Sequence, residues 1–197
     1  RPMKIQAQTF ERLVLGQLYE TTGVRENQDI LDHYIAVIEG KTGSLIAAAG
    51  EYGSLLAGAS EEVIQMLATY GELVGVAFQL ADDVIDIVSD GASSGKTQGT
   101  DLREGVPTLP TILLNRAAEA GDESARQVRM LIEADLSSDD ALAAAVSALA
   151  AHPVTQEAWQ IAYDWADRAI AAIAPLPDST AKAALESFAH AVVHREG

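Results

Sequence analysis

Val74-Gly75-Val76-Ala77-Phe78-Gln79-Leu80-Ala81-Asp82-Asp83-Val84-Ile85-Asp86-Ile87-Val88 decides the fold class of this chain. Its apolar residues do not alternate, as a half-buried strand would require, and they do not keep to one narrow helical stripe. With Val63 and Leu67 upstream they are distributed around the axis of one long helix, read over 60–89. A helix that is apolar on much of its circumference has to be packed on several sides. The stretch therefore predicts the central helix of an all-α bundle, with one polar channel along it.

Working outward, apolar residues recur at intervals of three and four in nearly every other segment, and Ala, Leu and Glu are abundant. The pattern predicts helices over about 4–22, 29–40, 42–58, 107–119, 122–134, 138–151, 154–173 and 179–194. Ser60 before Glu61 and Glu62, and Ser137 or Ser138 before Asp139 and Asp140, carry the signature of a capped N-terminus with acids in the first turn. Pro175 and Pro177 break the pattern before the last helix. The alanine-rich run from Ala141 to Ala151 reads as a closely packed helix rather than low-complexity sequence. Asp90 to Val106, rich in Gly, Ser and Thr, is the one long irregular stretch. With 197 residues, 48% of them hydrophobic, the chain has enough material for one core. One domain over 1–197 is expected.

Composition narrows the function classes. The formal net charge is −16, from 29 acidic and 13 basic residues. Such a field repels nucleic acid and anionic membrane surfaces. Absence of cysteine excludes disulfides and thiolate metal sites. A reducing cytoplasm is the default compartment. No run of about 20 uninterrupted apolar residues is present, so no transmembrane segment is expected. The chain opens on Arg1 in a polar, helix-like pattern, which reads as a processed or partial sequence without a secretory leader.

Within the central helix, Asp82 and Asp86 lie one turn apart on one face, with Gln79 one turn before and Asp90 one turn after. A solvated acidic stripe is the plain reading. It fits poorly, because like charges at this spacing destabilise a helix and its C-terminus is the wrong end for negative charge. Half-buried carboxylates are costly unless protonated or bound to a cation. Carboxylates without nearby His or Cys suit a hard ion, Mg²⁺ above all where phosphate adds oxygens. The loop Gly95-Lys96-Thr97-Gln98-Gly99-Thr100-Asp101-Leu102-Arg103-Glu104-Gly105 follows within about ten residues, with glycines and a lysine suited to an anion. A second triplet, Gly40-Lys41-Thr42, is like it. Neither is a nucleotide P-loop: the glycine required six residues before the lysine is Asp90 in one case and Ile35 in the other, and both triplets follow helical pattern.

Three segments together resemble the trans-isoprenyl diphosphate synthases, of the bacterial long-chain polyprenyl type. Tyr34 to Leu45, with Glu39-Gly40-Lys41-Thr42-Gly43 at its centre, looks like that family's lysine–threonine motif. Residues 78–86 look like its second aspartate-rich motif, and Gly95-Lys96 through Gly105 to Thr108-Leu109-Pro110 looks like its diphosphate loop. The resemblance is close over 5–115 and covers the rest as compatible helices. It implies a helical bundle of the isoprenoid synthase type, acting as a homodimer. It implies condensation of isopentenyl diphosphate with an allylic prenyl diphosphate. On this resemblance Asp82 and Asp86 hold Mg²⁺ with Asp83 supporting, Lys41 and Lys96 grip the allylic diphosphate, and Thr42 and Gln79 line the cation. Phe78 lies beside the homoallylic substrate; read on its own it is a core residue, as Thr42 on its own is a helix cap. Many relatives carry lysine where this chain has Val106-Pro107.

The family's first aspartate-rich motif, its neighbouring arginines and its isopentenyl diphosphate anchor have no counterpart in the sequence. The chain thus resembles the C-terminal part of a longer synthase. Two other readings stand beside the enzyme: a non-catalytic partner subunit of a hetero-oligomeric synthase, and a class I terpene cyclase. The intact Asp82, Asp86 and Lys96 speak against the first. Lys41-Thr42 and the aspartate pattern speak against the second. His190 and His194, four apart on the last helix, read as a solvated face near a helix C-terminus. Trp159, Tyr163 and Trp165 read as core or dimer contacts.

Overall fold

The computed structural model describes residues 1–89 and 98–194. Asp90, Gly95, Lys96 and Thr97 lie outside the described residues. The described residues form helices and connections, with no strand among them. In chain order these are α1 (Pro2–Thr22), α2 (Ile30–Ile38), a π-helical turn (Glu39–Gly43), α3 (Ser44–Leu56), α4 (Glu61–Val88) and α5 (Thr100–Glu104). There follow α6 (Leu109–Glu119), α7 (Glu123–Ile132), α8 (Asp139–Ala151), α9 (Pro153–Ala172) and α10 (Thr180–His194).

Local chemistry explains most of these starts. Asp29, Asp122 and Ser138 each accept backbone amides of the first turn that follows. Thr108 and Thr111 form a reciprocal capping box at the start of α6. Val63 donates its amide to Ser60 Oγ at 3.4 Å, ahead of Glu61 and Glu62. Two elements differ from the sequence expectation. The break expected between residues 40 and 42 is absent: α2, the π-turn and α3 run on with right-handed helical backbone at their junctions. The stretch expected to be irregular contains α5, bounded by Gly99 and Gly105 in the left-handed region (φ 72° and 69°).

The chain divides into two compact units. The first comprises residues 1–79 and 162–194, the second residues 80–161, so that α4 and α9 each contribute to both. In the first unit, α1 packs on α2, the π-turn and α3. Glycines let backbones meet there. A Cβ on Gly75 would lie 2.7 Å from Gly43 Cα, one on Gly71 2.6 Å from the Ile46 carbonyl, and one on Gly50 2.5 Å from the Leu67 carbonyl. Tyr70 is buried and donates its hydroxyl to the Leu185 carbonyl at 2.7 Å; burial pushes its phenol up to about 12.

The second unit holds the end of α4 together with α5–α8 and the start of α9. Leu80, Val84 and Ile87 from α4, Leu109, Ile112 and Leu114 from α6, and Leu142, Ala145, Val146 and Leu149 from α8 are all buried. The alanine-rich helix thus turns a packed face inward. Val88 departs from the expected apolar circumference of α4, being 40% exposed. Among the described residues α4 is the one helix long and apolar enough to cross a membrane, yet 44% of its most apolar window is buried inside the fold. It is a core helix.

Candidate diphosphate and metal site

The π-turn presents Lys41 and Thr42. Ser44 closes it by donating its amide to the Glu39 carbonyl five residues back and its hydroxyl to the Gly40 carbonyl at 2.6 Å. Thr42 Oγ1 donates to Gln79 Oε1 at 3.2 Å, so two of the expected residues are brought together, 37 positions apart in sequence. Lys41 Nζ sits on Glu20, 2.8 and 2.7 Å from its two carboxylate oxygens, with both side chains partly open to solvent. An anion arriving at Lys41 meets an ammonium paired with a partly exposed carboxylate that it can displace. Phe78 is half-buried on α4.

Farther along α4, Asp82, Asp83 and Asp86 have three different surroundings. Asp82 is exposed. Asp83 is buried, and its Oδ2 accepts the Leu109 amide at 3.0 Å, the first amide of α6. That oxygen is committed to fixing a helix start. The Asp83 carboxyl is therefore a support rather than a companion of Asp82 on the open face. Asp86 is half-buried, and its carboxylate accepts the backbone amides of Thr100 and Asp101 at the start of α5. Gly99 anchors that arrangement: its amide donates to the Asp86 carbonyl at 3.0 Å, and a Cβ there would lie 2.4 Å from Val146 Cγ2. With φ at 72° as well, glycine is required at this position.

Burial, then the charges of Asp101 and Asp82, push the Asp86 carboxyl above the ordinary range against the pull of the two amides. Its Oδ2 is buried and has no hydrogen-bond partner among the described residues. A half-buried carboxylate whose charge is disfavoured, with one oxygen unpartnered among the described residues, is relieved by a proton or by a cation. A hard divalent cation meets that need, and carboxylate oxygen is the ligand such ions prefer. No group of three or more acidic or histidine side chains is arranged for a metal among the described residues. Asp82 and Asp86 are the two carboxylates here that would hold such a cation.

One constellation imitates a catalytic site and is not one. Ser124 Oγ lies 3.0 Å from His152 Nε2 and 2.7 Å from Asp122 Oδ1. His152 Nδ1 accepts the Val154 amide at 3.3 Å, which places the ring proton on Nε2, directed at the serine. A histidine that donates to a serine cannot take its proton. This buried ring clips α7 to the α8–α9 junction.

Residues 1–149 match the family model described as polyprenyl synthetase. The chain belongs to that family. It is 41% identical over 195 residues to a nonaprenyl diphosphate synthase of Mycobacterium tuberculosis, covering 99% of this chain and 57% of that protein. It is 34% identical over 194 residues to an octaprenyl diphosphate synthase of Escherichia coli K12, covering 98% of this chain and 59% of the relative. Among solved structures, a geranylgeranyl pyrophosphate synthase of Corynebacterium glutamicum, complexed with calcium and isoprenyl diphosphate, superposes with a TM-score of 0.87 at 39% identity. It is matched over 100% of this chain and 60% of its own. The chain thus spans between 57% and 60% of the length of these relatives.

Proposed function

We propose that this chain is the part of a long-chain polyprenyl diphosphate synthase that binds the allylic diphosphate and promotes its ionisation for condensation with isopentenyl diphosphate. The observation that carries the reading is the buried Asp86 Oδ2, without a hydrogen-bond partner among the described residues, one turn from Asp82. Membership in the polyprenyl synthetase family and the names of the relatives support it. Asp82 and Asp86 would hold magnesium, with Asp83 keeping α6 in register behind them. Bound there, the ion would neutralise the diphosphate and stabilise it as a leaving group.

The protein's own groups complete the electrostatics. Lys41 binds a diphosphate oxygen in place of Glu20, and Lys96 is assigned the same task from the loop. The hydroxyl of Thr42 and the amide of Gln79, tied to each other, offer oxygen lone pairs to the allylic cation as the diphosphate leaves. Phe78 supplies an apolar wall with a π-face beside the double bond that attacks. None of these groups needs to form a covalent bond to substrate.

Homodimerisation and a cytoplasmic location belong to this reading. Met3, Phe10, Val14 and Leu18 form a stripe along α1, and all are exposed, Met3 at 78% and Phe10 at 66%. The test is product analysis with isopentenyl diphosphate, an allylic primer and magnesium, alone and with the polypeptide that carries the first aspartate-rich motif. Longer prenyl diphosphates are expected, and Asp82→Ala abolishes them. Chain elongation that survives Asp82→Ala unchanged would rule out the role given to the carboxylates.

A further inference from the structure

We propose that Arg12 and Glu72 are positioning residues for Lys41: together they hold the π-turn in the one register that presents the lysine to a diphosphate. The inference rests on the role given to Lys41 above. A π-turn is a poor local minimum and persists where surroundings impose it. Here the surroundings are one face of α1. Arg12, Gly16 and Glu20 follow one another at intervals of four, and they meet the consecutive residues Glu39, Gly40 and Lys41. A Cβ on Gly40 would lie 2.9 Å from Gly16 Cα and 3.0 Å from the Arg12 carbonyl, so the turn is pressed against α1. Glu20 takes the Lys41 ammonium, as described.

Arg12 supplies the directional element. Its Nη1 donates to Glu72 Oε2 at 3.0 Å and its Nη2 to Glu72 Oε1 at 2.6 Å, a two-pronged grip that fixes the plane of the guanidinium. The same Nη2 reaches the Glu39 carbonyl at 3.4 Å. That carbonyl also accepts the Ser44 amide, the five-residue bond that closes the π-turn. The guanidinium therefore links α4, through Glu72, to the oxygen on which the turn depends. Lysine could not do this, having no fork. Glu72 also approaches Gly43, whose Cβ would lie 3.2 Å from the Glu72 carbonyl, so the far end of the turn is braced by the same residue.

The test is a double-mutant cycle read by calorimetry with inorganic diphosphate and magnesium on the full chain, with the melting temperature of each variant recorded. Arg12→Met should weaken diphosphate binding about tenfold, the size of one lost hydrogen bond to a charged group. Arg12→Lys, which keeps the charge, should still lose severalfold. Combined with Lys41→Gln, Arg12→Met should add nothing further, because Arg12 acts through Lys41. If Arg12→Met does not fold, Glu72→Gln takes its place with the same expectations. An additive loss in the Lys41→Gln background, or no loss in either single variant, overturns the positioning role. If Lys41→Gln binds diphosphate like the wild type, the assignment of Lys41 has failed first, and this inference with it.

Discussion

At the residue scale, Asp86 shows a site whose chemistry runs against its stability. Burial and neighbouring carboxylates disfavour its charge in the folded protein. Asp86→Asn should therefore raise the melting temperature in chelator, by about 1–3 °C, while removing the stabilisation that magnesium gives the wild type. Thermal melts with and without the metal check both halves. Glu39 gives the pH dependence. Burial and then Glu72 raise its carboxyl, against Arg12 and Arg168. A carboxyl raised on folding contributes stability at acid pH that is lost as pH rises through its folded value. Glu39→Gln should thus stabilise at neutral pH, with the gain shrinking towards zero as pH falls into the ordinary carboxylate range. A pH series of melts shows it. Spacing made Asp82 and Asp86 readable as candidates, with Gln79 one turn before them, whereas Thr42 entered only through the resemblance. The work of Asp83 was not readable, since its partner amide lies 26 residues away on another helix.

At the element scale, most helices announce themselves through caps and periodicity: Asp29, Asp122 and Ser138 each accept the amides that they precede. The π-turn leaves no such mark. The backbone at its junctions is ordinary right-handed helix, and its close contacts are with α1 and α4, which a linear pattern does not contain. Nor is the five-residue α5 visible as periodicity; it exists because Gly99 and Gly105 turn left-handed at its two ends. Two predictions belong to this scale. Asp83→Ala removes the acceptor at the start of α6 and should cost about 1–2 kcal/mol, measured by denaturant unfolding. Gly75→Ala drives a methyl group to within 2.7 Å of Gly43 Cα. The displaced backbone should cost about 1–3 kcal/mol and loosen the Thr42–Gln79 contact.

At the scale of the whole molecule, the proposed function has a chain with net charge −16 bind an anion. Global charge opposes this, so attraction has to be local and supplied by few cations. On the proposed reading, Lys41 and Lys96 and a metal held by Asp82 and Asp86 would supply it. What the chain contributes is bounded by its extent, between 57% and 60% of the relatives' length. Within that extent, on the proposed function, Asp82 and Asp86 make diphosphate binding conditional on a divalent cation. The most direct measurement is calorimetric titration of geranyl diphosphate into the chain with magnesium and with chelator, repeated on the Asp82→Asn, Asp86→Asn double variant. Binding that appears only with magnesium, and disappears in the double variant, is the predicted result. Binding of equal strength without the metal, or unchanged by the two substitutions, would contradict the role given to these carboxylates.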